Sequence, residues 1–394
     1  MTNSDIVRPM SSLKELFLLD PSVVFLNHGS FGACPRPVFD AYQAWQRLLE
    51  RQPVKFLGRE FHQHMRQARI ALGEYLHAGA DDLVWVPNAT HGVNIVARSL
   101  ELGPGDEILT SDHEYGACNN TWEFISRKTG AVYVRQPIPI PVTTQEEILE
   151  QFWQGVTPCT RLIFLSHISS PTALRFPIEE VCQRARQAGI LTFIDGAHAP
   201  GQIPVDLDAI GADFYTGNCH KWMMAPKGAG FLYTRRERQS LIEPLVVSWG
   251  YNADEKTTTG SQYVDYLEWT GTKDPAAFLT VPAAIQFMQD YHWDRVRLSC
   301  HELLSQALGR IADLTGLAPV YPQGQGFYSQ MAVAPIPPVT DPIKFRSRLY
   351  DEFRIEIPVT EWNGWIFLRI SVQGYNTQDD IDALVKALEV LLPR

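Results

Sequence analysis

Seven short apolar runs in the middle of the chain, most of them separated by helix-like stretches, constrain the fold more than any other feature. They are Leu83-Val84-Trp85-Val86, Glu107-Ile108-Leu109-Thr110, Ala131-Val132-Tyr133-Val134, Leu162-Ile163-Phe164-Leu165, Leu191-Thr192-Phe193-Ile194, Asp213-Phe214-Tyr215-Thr216 and Gly230-Phe231-Leu232-Tyr233. Several are apolar at consecutive positions. Side chains alternate between faces along a strand, so both faces need cover. Between two runs, Ile178, Val181, Cys182 and Ala185 fall on one helical face, and Gly189 sits where a C-terminal cap belongs. The pattern predicts an α/β fold with a large, mainly parallel seven-stranded sheet and helices on both faces. The last two runs depart from it. Only residues 217–229 separate them, too few for a helical crossover. A tight loop must join them, and it carries His220-Lys221.

Amphipathic helices flank this core. One opens at Pro37 with Val38, Tyr42, Trp45 and Leu49 at helical spacing, and another carries Phe61, Met65, Ala68, Leu72 and Leu76. Beyond the sheet, Pro275–Tyr291 and Trp293–Leu314 read as helices, and Thr377 with Asp380 forms a capping-box signature for a last one. Phe327–Val333 and Trp365–Val372 read as strands. The expected division is an N-terminal segment, 1–28, that packs with the small domain, a large cofactor-binding domain, 29–272, and a smaller α+β domain, 273–394. A chain of 394 residues suits two domains of ordinary size.

Composition excludes several classes. Lys and Arg total 34 against 44 Asp and Glu, a net charge of −10, so no basic nucleic-acid footprint is expected. The six cysteines form no C-x-x-C pair, which reads as reduced thiols in a cytoplasmic protein. No apolar stretch is long enough to span a membrane, and Leu16-Phe17-Leu18-Leu19 is too short for a signal-peptide core. The stretch Gln136–Pro141, with proline at alternate positions, reads as a surface crossover.

Four features carry chemistry. The run Leu191–Ile194 ends in Asp195, followed by Gly196-Ala197-His198. An acid at the carboxyl end of a buried strand points into the crevice where α/β proteins bind ligands, and it stays ionised only beside a cation. Taken alone, it serves equally as a helix cap or a metal ligand. Lys221 is flanked by Trp222, Met223 and Met224, an apolar setting that favours the neutral amine needed for Schiff-base chemistry. Taken alone, it reads as a solvated surface lysine. Pro87-Asn88-Ala89-Thr90-His91-Gly92 joins a strand to a helix and offers free N–H groups to an anion, or simply caps that helix. Arg369, in Leu368-Arg369-Ile370-Ser371, needs an anion within an apolar strand: a bound carboxylate or a structural partner. Together they supply a phosphate cradle, an acid for a pyridine nitrogen, an amine for an aldehyde and a cation for an α-carboxylate. That set matches pyridoxal 5'-phosphate. Histidines 113, 167, 198 and 220 lack any metal-site spacing, so no metal is expected.

The sequence resembles the class-V aminotransferase group of fold-type-I pyridoxal-phosphate enzymes. Within that group it is most like the isopenicillin N epimerase-like proteins, with cysteine desulfurases and C–S lyases as cousins. The likeness runs from Phe25-Leu26-Asn27-His28-Gly29-Ser30-Phe31-Gly32 to Gly374-Tyr375-Asn376-Thr377, and rests chiefly on Asp195–His198 and His220-Lys221-Trp222. The resemblance implies that Lys221 carries the cofactor and shuttles the Cα proton, while Asp195 pairs with the pyridine nitrogen. Ala89, Thr90, Asn218 and His220 would hold the phosphate. His198 stands where desulfurases carry a Gln near the phenolic oxygen, and Ser170 stands near the family's Asn for the same atom. Arg369 would bind the substrate carboxylate. Asn27, His28, Arg59, Tyr115 and the Trp362-Asn363-Gly364 loop are expected near the substrate side chain, with Arg59 reading chiefly as a helix-end charge and otherwise as a partner for a second substrate carboxylate. Gly271-Thr272 resembles a segment that reaches the neighbouring subunit's phosphate, which implies a symmetric homodimer with shared active sites.

Two departures narrow the reaction. Tyr115 stands where desulfurases place a ring-stacking His, and its hydroxyl can either stack passively or deliver a proton opposite the lysine. Desulfurases also use a mobile cysteine ahead of the substrate arginine, whereas Ile355–Trp365 has none. Cys219, beside His220, reads as packing rather than a reactive thiol. The leading expectation is an enzyme that abstracts the Cα proton of a small amino-acid substrate and epimerises it. C–S bond cleavage by β-elimination is the alternative, transamination follows, and a catalytically silent binding protein is the non-enzyme reading.

Overall fold

The computed structural model describes residues 13–252, 258–324 and 326–392; the first twelve residues of the expected N-terminal segment lie outside them. A short strand, β1 (Val24–Phe25), precedes the large sheet. The sheet itself comprises β2 (Leu83–Val86), β3 (Glu107–Ser111), β4 (Val132–Gln136), β5 (Thr160–Ser166), β6 (Leu191–Gly196), β7 (Phe214–Asn218) and β8 (Gly230–Thr234). Then come β9 (Met331–Ile336), β10 (Ile355–Glu356), β11 (Val359–Trp362) and β12 (Trp365–Ser371). The large sheet has the order β2-β8-β7-β6-β5-β3-β4. The run from β4 to β7 is parallel, and β8 is antiparallel to both β7 and β2. Each of the seven runs became a strand, and the short final connection gave the antiparallel pair.

The apolar runs divide between two cores, one on each face. Leu83, Trp85, Leu109, Ile163, Leu165, Ile194, Tyr215 and Phe231 join one cluster. Their neighbours Val84, Val86, Ile108, Leu162, Phe164, Phe193, Phe214 and Leu232 join the other. Burying both faces is what makes the central runs apolar at consecutive positions; the edge strand β4 is partly exposed.

The smaller unit is an antiparallel sheet, β11-β12-β9, with the capping box at Thr377 and Asp380 opening the helix Gln378–Leu391 as expected. β1 pairs in parallel with β10, Val24 opposite Ile355, so early residues close against late ones. Among the described residues no helix is long and apolar enough to cross a membrane.

Three local expectations need correction. Pro275–Tyr291 is not one helix: Ala276–Leu279 and Val281–Asp290 meet at Thr280. Pro282 cannot donate to the carbonyl four residues back, and its ring crowds that turn. The strand expected at Phe327–Val333 lies at Met331–Ile336, because pairing with β12 begins at Met331 opposite Ser371. Pro335 fits there because β9 is an edge strand. The Gln136–Pro141 stretch is no surface crossover at its centre. Ile138 is buried, donates its N–H to Asp112 Oδ1 at 3.0 Å and accepts from His113 Nε2 at 2.8 Å.

Candidate active site

The carboxyl ends of three neighbouring strands form the floor of a cleft. Ser166 of β5 lies beside Asp195 of β6, which lies beside Thr216 of β7. β2 ends at the same edge, with Val86 and Asn218 both opposite Gly230. The sheet thus gathers the acid, the lysine loop and the anion-binding turn with no long-range side-chain contact required. The cleft has a volume of about 330 Å³.

Asp195 is 3 % exposed. Its Oδ1 accepts the Ala197 N–H at 2.9 Å, and the Cys118 thiol donates to Oδ2 at 3.4 Å. Burial raises its pKa, and the nearest cation acting on it is Lys221, through space rather than in an ion pair. The carboxylate therefore sits ready for a cationic partner.

Lys221 Nζ lies 3.1 Å from His198 Nε2. Trp222 Nε1–H donates to His198 Nδ1 at 3.3 Å, so the neutral imidazole carries its proton on Nε2 and offers it to the amine lone pair. Burial, followed by the charges of Lys221 and Arg369, holds the imidazole pKa well below its ordinary range. Burial, then Arg369, lowers Lys221 itself to about 8. The lysine loop is clamped from both sides. Gly32, at φ 71°, lies so close that an added Cβ would stand 2.1 Å from the His220 carbonyl, and one on Gly201, at φ 87°, 2.3 Å from the Trp222 backbone. Only glycine permits both the dihedral and the approach.

At the other end of the cleft, Asn88 caps the helix Ala89–Ser99 by accepting the His91 N–H at 2.9 Å. Asn218 Oδ1 takes the Ala89 N–H at 2.8 Å, which ties the helix start to β7. Thr90 lies in the first turn. His220 donates Nδ1–H to the Ala229 carbonyl at 2.8 Å, so its other nitrogen faces away from that bond. The positive end of the helix dipole favours an anion here.

On the opposite wall, Arg369 of β12 is 6 % exposed. Its Nη1 donates to the Ser170 carbonyl at 2.8 Å and hydroxyl at 3.0 Å, and its Nη2 donates to Ser30 Oγ at 3.0 Å. Nε is buried without a partner. A guanidinium bonded to neutral serines has its charge uncompensated, and burial lowers its pKa to about 10. Tyr115 is 47 % exposed, immediately precedes the helix Gly116–Thr129 and lines the cleft with Phe31.

The cleft gathers Ala89, Thr90, Tyr115, Ser170, Asp195, His198, Asn218, His220 and Lys221 on its surface. Arg369 reaches it through Ser170 and Ser30. Ser170 is thus engaged with the arginine. Asn27 stands one step back, donating to Glu356 Oε1 at 3.1 Å and accepting from Ser30 Oγ at 2.5 Å. His28 is wholly buried beneath the lysine loop, 3.0 Å from both the Lys221 carbonyl and the Tyr375 hydroxyl. Arg59 lines a separate hollow with Phe61, Trp249 and Trp269. Gly271 and Thr272 are not among the residues lining their own chain's cleft. Cys219 is buried and its thiol pKa is pushed up by burial, as packing requires. Sequence reading missed Ser30, Glu114, Cys118 and Ser166, four small or acidic residues whose partners are distant in sequence.

Residues 31–333 match the family model Aminotransferase class-V. The chain belongs to the class-V aminotransferase family. Within this family it is 38% identical over 391 residues to the isopenicillin N epimerase of Amycolatopsis lactamdurans, covering 97% of this chain and 98% of that one. It is 26% identical to an L-cysteine desulfhydrase of Arabidopsis thaliana, covering 94% and 88% of the two chains. The cysteine desulfurase CsdA of Escherichia coli superposes with a TM-score of 0.81 at 23% identity, covering 98% of this chain and all of that one, a likeness of fold alone. Class-V aminotransferases use pyridoxal phosphate. The residues present fit such a group: a buried acid with no ion-pair partner, a lysine whose pKa is lowered to about 8 and a helix N-terminus share one cleft.

Proposed function

We propose that this chain is a pyridoxal-phosphate enzyme that abstracts the Cα proton of a small amino-acid substrate and returns it with change of configuration, as an isopenicillin N epimerase does. The observation that carries this reading is the convergence of Asp195, Lys221, Tyr115 and the uncompensated Arg369 on one cleft. Pyridoxal phosphate bound there would supply a hold on the substrate amino group and a sink for the Cα electrons. Asp195 pairs with the ring nitrogen. The turn at Ala89 and Thr90, with Asn218 and His220, binds the phosphate. Arg369 fixes the α-carboxylate, its unpartnered Nε supplying a donor. Lys221, its amine pKa lowered by burial, would take the Cα proton. Tyr115, exposed at the cleft mouth, delivers one from the other side.

C–S bond cleavage is the second reading, favoured by likeness to the plant desulfhydrase. It needs only Lys221 as base. Neither reading includes a desulfurase-type persulfide on an enzyme cysteine, since Ile355–Trp365 holds none. We further propose a cytoplasmic homodimer, with domains divided near residues 28 and 272. Gly271-Thr272 of each protomer then completes the partner's phosphate site. Val247 and Trp249, exposed and separated from that segment by the helix Gln262–Glu268, suit such a contact.

The deciding experiment incubates pure protein with single-enantiomer amino acids and cysteine conjugates in deuterated water. Deuterium at Cα with loss of configuration supports epimerisation. Pyruvate and ammonia release would replace it with the lyase reading. A colourless protein that binds no pyridoxal phosphate would defeat both.

A further inference from the structure

Behind Asp195 lies a second buried acid that the proposed chemistry does not use. Glu114 is 4 % exposed and immediately precedes Tyr115. Its Oε1 accepts from Ser111 Oγ at 2.8 Å and from the Ser166 N–H at 3.2 Å, while Oε2 lies 2.5 Å from Ser166 Oγ. Those partners are neutral serines. Ser166 lies beside Asp195 across the β5–β6 ladder and lines the cleft. The titratable groups facing Glu114 from neighbouring elements are Asp195 of β6, Cys118 of the helix Gly116–Thr129 and Tyr133 of β4, with Asp112 and His113 in its own loop. None of them is a lysine or an arginine.

Two buried carboxylates that act on each other across Ser166 resist ionising together, and the one cation acting on the pair, Lys221, is on the Asp195 side. Asp195 is the one open to a cationic ligand; Glu114 is walled off. We propose that Glu114 is a neutral, proton-holding acid that, through the Ser166 hydroxyl, keeps Asp195 the single negative charge on the cleft floor. It is a positioning residue, and the inference rests on the reading of Asp195 as the ring-nitrogen partner.

The hydrogen-bond directions follow from the donors. Oε1 already accepts two, so the acid proton belongs on Oε2 and is donated to Ser166 Oγ. The serine's own hydrogen is then free to point toward the cleft. If Glu114 ionises, that hydrogen turns back to Oε2, the cleft loses a donor, and a second negative charge raises the proton affinity of Asp195. One proton on Glu114 thereby sets both the direction of a hydroxyl and the charge beside the cofactor.

The test compares wild type with Glu114→Gln, which keeps the acceptor oxygen and cannot titrate. In the cofactor-free protein at pH 6, an infrared difference spectrum should show a carboxylic-acid C=O band present in wild type and missing in the variant. That band should fade as pH passes about 7, where burial places this group. In the loaded enzyme, Cα deuterium exchange by wild type should fall about threefold or more over the same window, while Glu114→Gln stays flat. Should that variant fail to fold, Ser166→Ala carries the comparison: the band persists and titrates, but the exchange profile loses its limb. No acid band at pH 6, or the same limb in wild type and variants, overturns the proposal. The infrared arm needs no cofactor, so a protein that shows the band yet binds no pyridoxal phosphate refutes the cofactor reading instead.

Discussion

The two walls of the cleft are built in different ways. The floor belongs to one sheet: Asp195 is the penultimate residue of β6, Lys221 follows β7, and ladder pairing fixes the spacing of the two strands. The facing wall is assembled from segments far apart in the chain. Arg369 meets Ser170 and Ser30, and the β11–β12 hairpin grips the loop before Tyr115, with Trp362 Nε1–H on the Asp112 carbonyl at 3.0 Å and Asn363 Nδ2–H on Asp112 Oδ2 at 2.8 Å. Cofactor handling is therefore tied to the most buried part of the molecule. Substrate handling depends on how the small unit sits against it.

Changes to the floor should abolish chemistry, and changes to the wall should alter substrate use while sparing the cofactor. The largest effect is expected for Lys221→Ala: the visible absorption band vanishes and Cα exchange falls by about 10³-fold or more, because the anchoring amine and the base are lost together. Next is Arg369→Ala. It should leave the band in place but raise KM about 10- to 100-fold, as expected for a charge-assisted pair to a carboxylate. If Arg369→Ala instead bleaches the protein, the division between floor and wall fails.

A pH experiment tests the floor alone. Lys221 titrates near 8 in the folded protein against an ordinary value of 10.5. Below about 8 both states are protonated, and the buried ammonium costs its full desolvation. Between 8 and 10.5 the unfolded chain binds the extra proton, so the folded state gains stability as pH rises. Lys221→Met removes the group. The melting temperature of the cofactor-free variant should exceed that of wild type at neutral pH, and the gap should close as pH approaches 10.5. A gap that is constant with pH would mean the amine is hydrated rather than buried.

The same contrast explains what could be read from the chain. The strands were legible because burial on two faces writes uninterrupted apolar runs, yet their ends were not, since ladder pairing rather than apolarity sets them: β5 starts at Thr160 and β7 extends to Asn218. Asp195 and Lys221 were legible as a strand-end acid and a lysine in an apolar loop. His28 was misplaced because its partners, Lys221 and Tyr375, lie 193 and 347 residues away. Ser30 was missed for the same reason, 339 residues from Arg369. A lone serine carries no local pattern, and the break at Thr280–Pro282 falls inside a span whose apolar spacing reads as one helix.

The smallest effect, and the sharpest probe of the wall, lies at the hairpin tip. Trp362 rests on His113 with ring centroids 4.3 Å apart, and His113 bonds Thr172 Oγ1 at 2.7 Å. Asn363, at φ 44°, adopts the left-handed turn that lets its amide reach Asp112. Asp112 in turn holds the Ile138 N–H. Loosening this grip lets the Tyr115 loop shift against Arg369 without touching the lysine. Trp362→Ala should therefore lower Cα exchange about threefold to tenfold through lost orientation, while cofactor absorbance and its pH response stay as in wild type. Asn363→Gly keeps the turn and loses one hydrogen bond, so a change of about threefold or less is expected. If the two variants differ in the other order, the amide rather than the indole holds the wall, and the substrate face is set by a single polar contact.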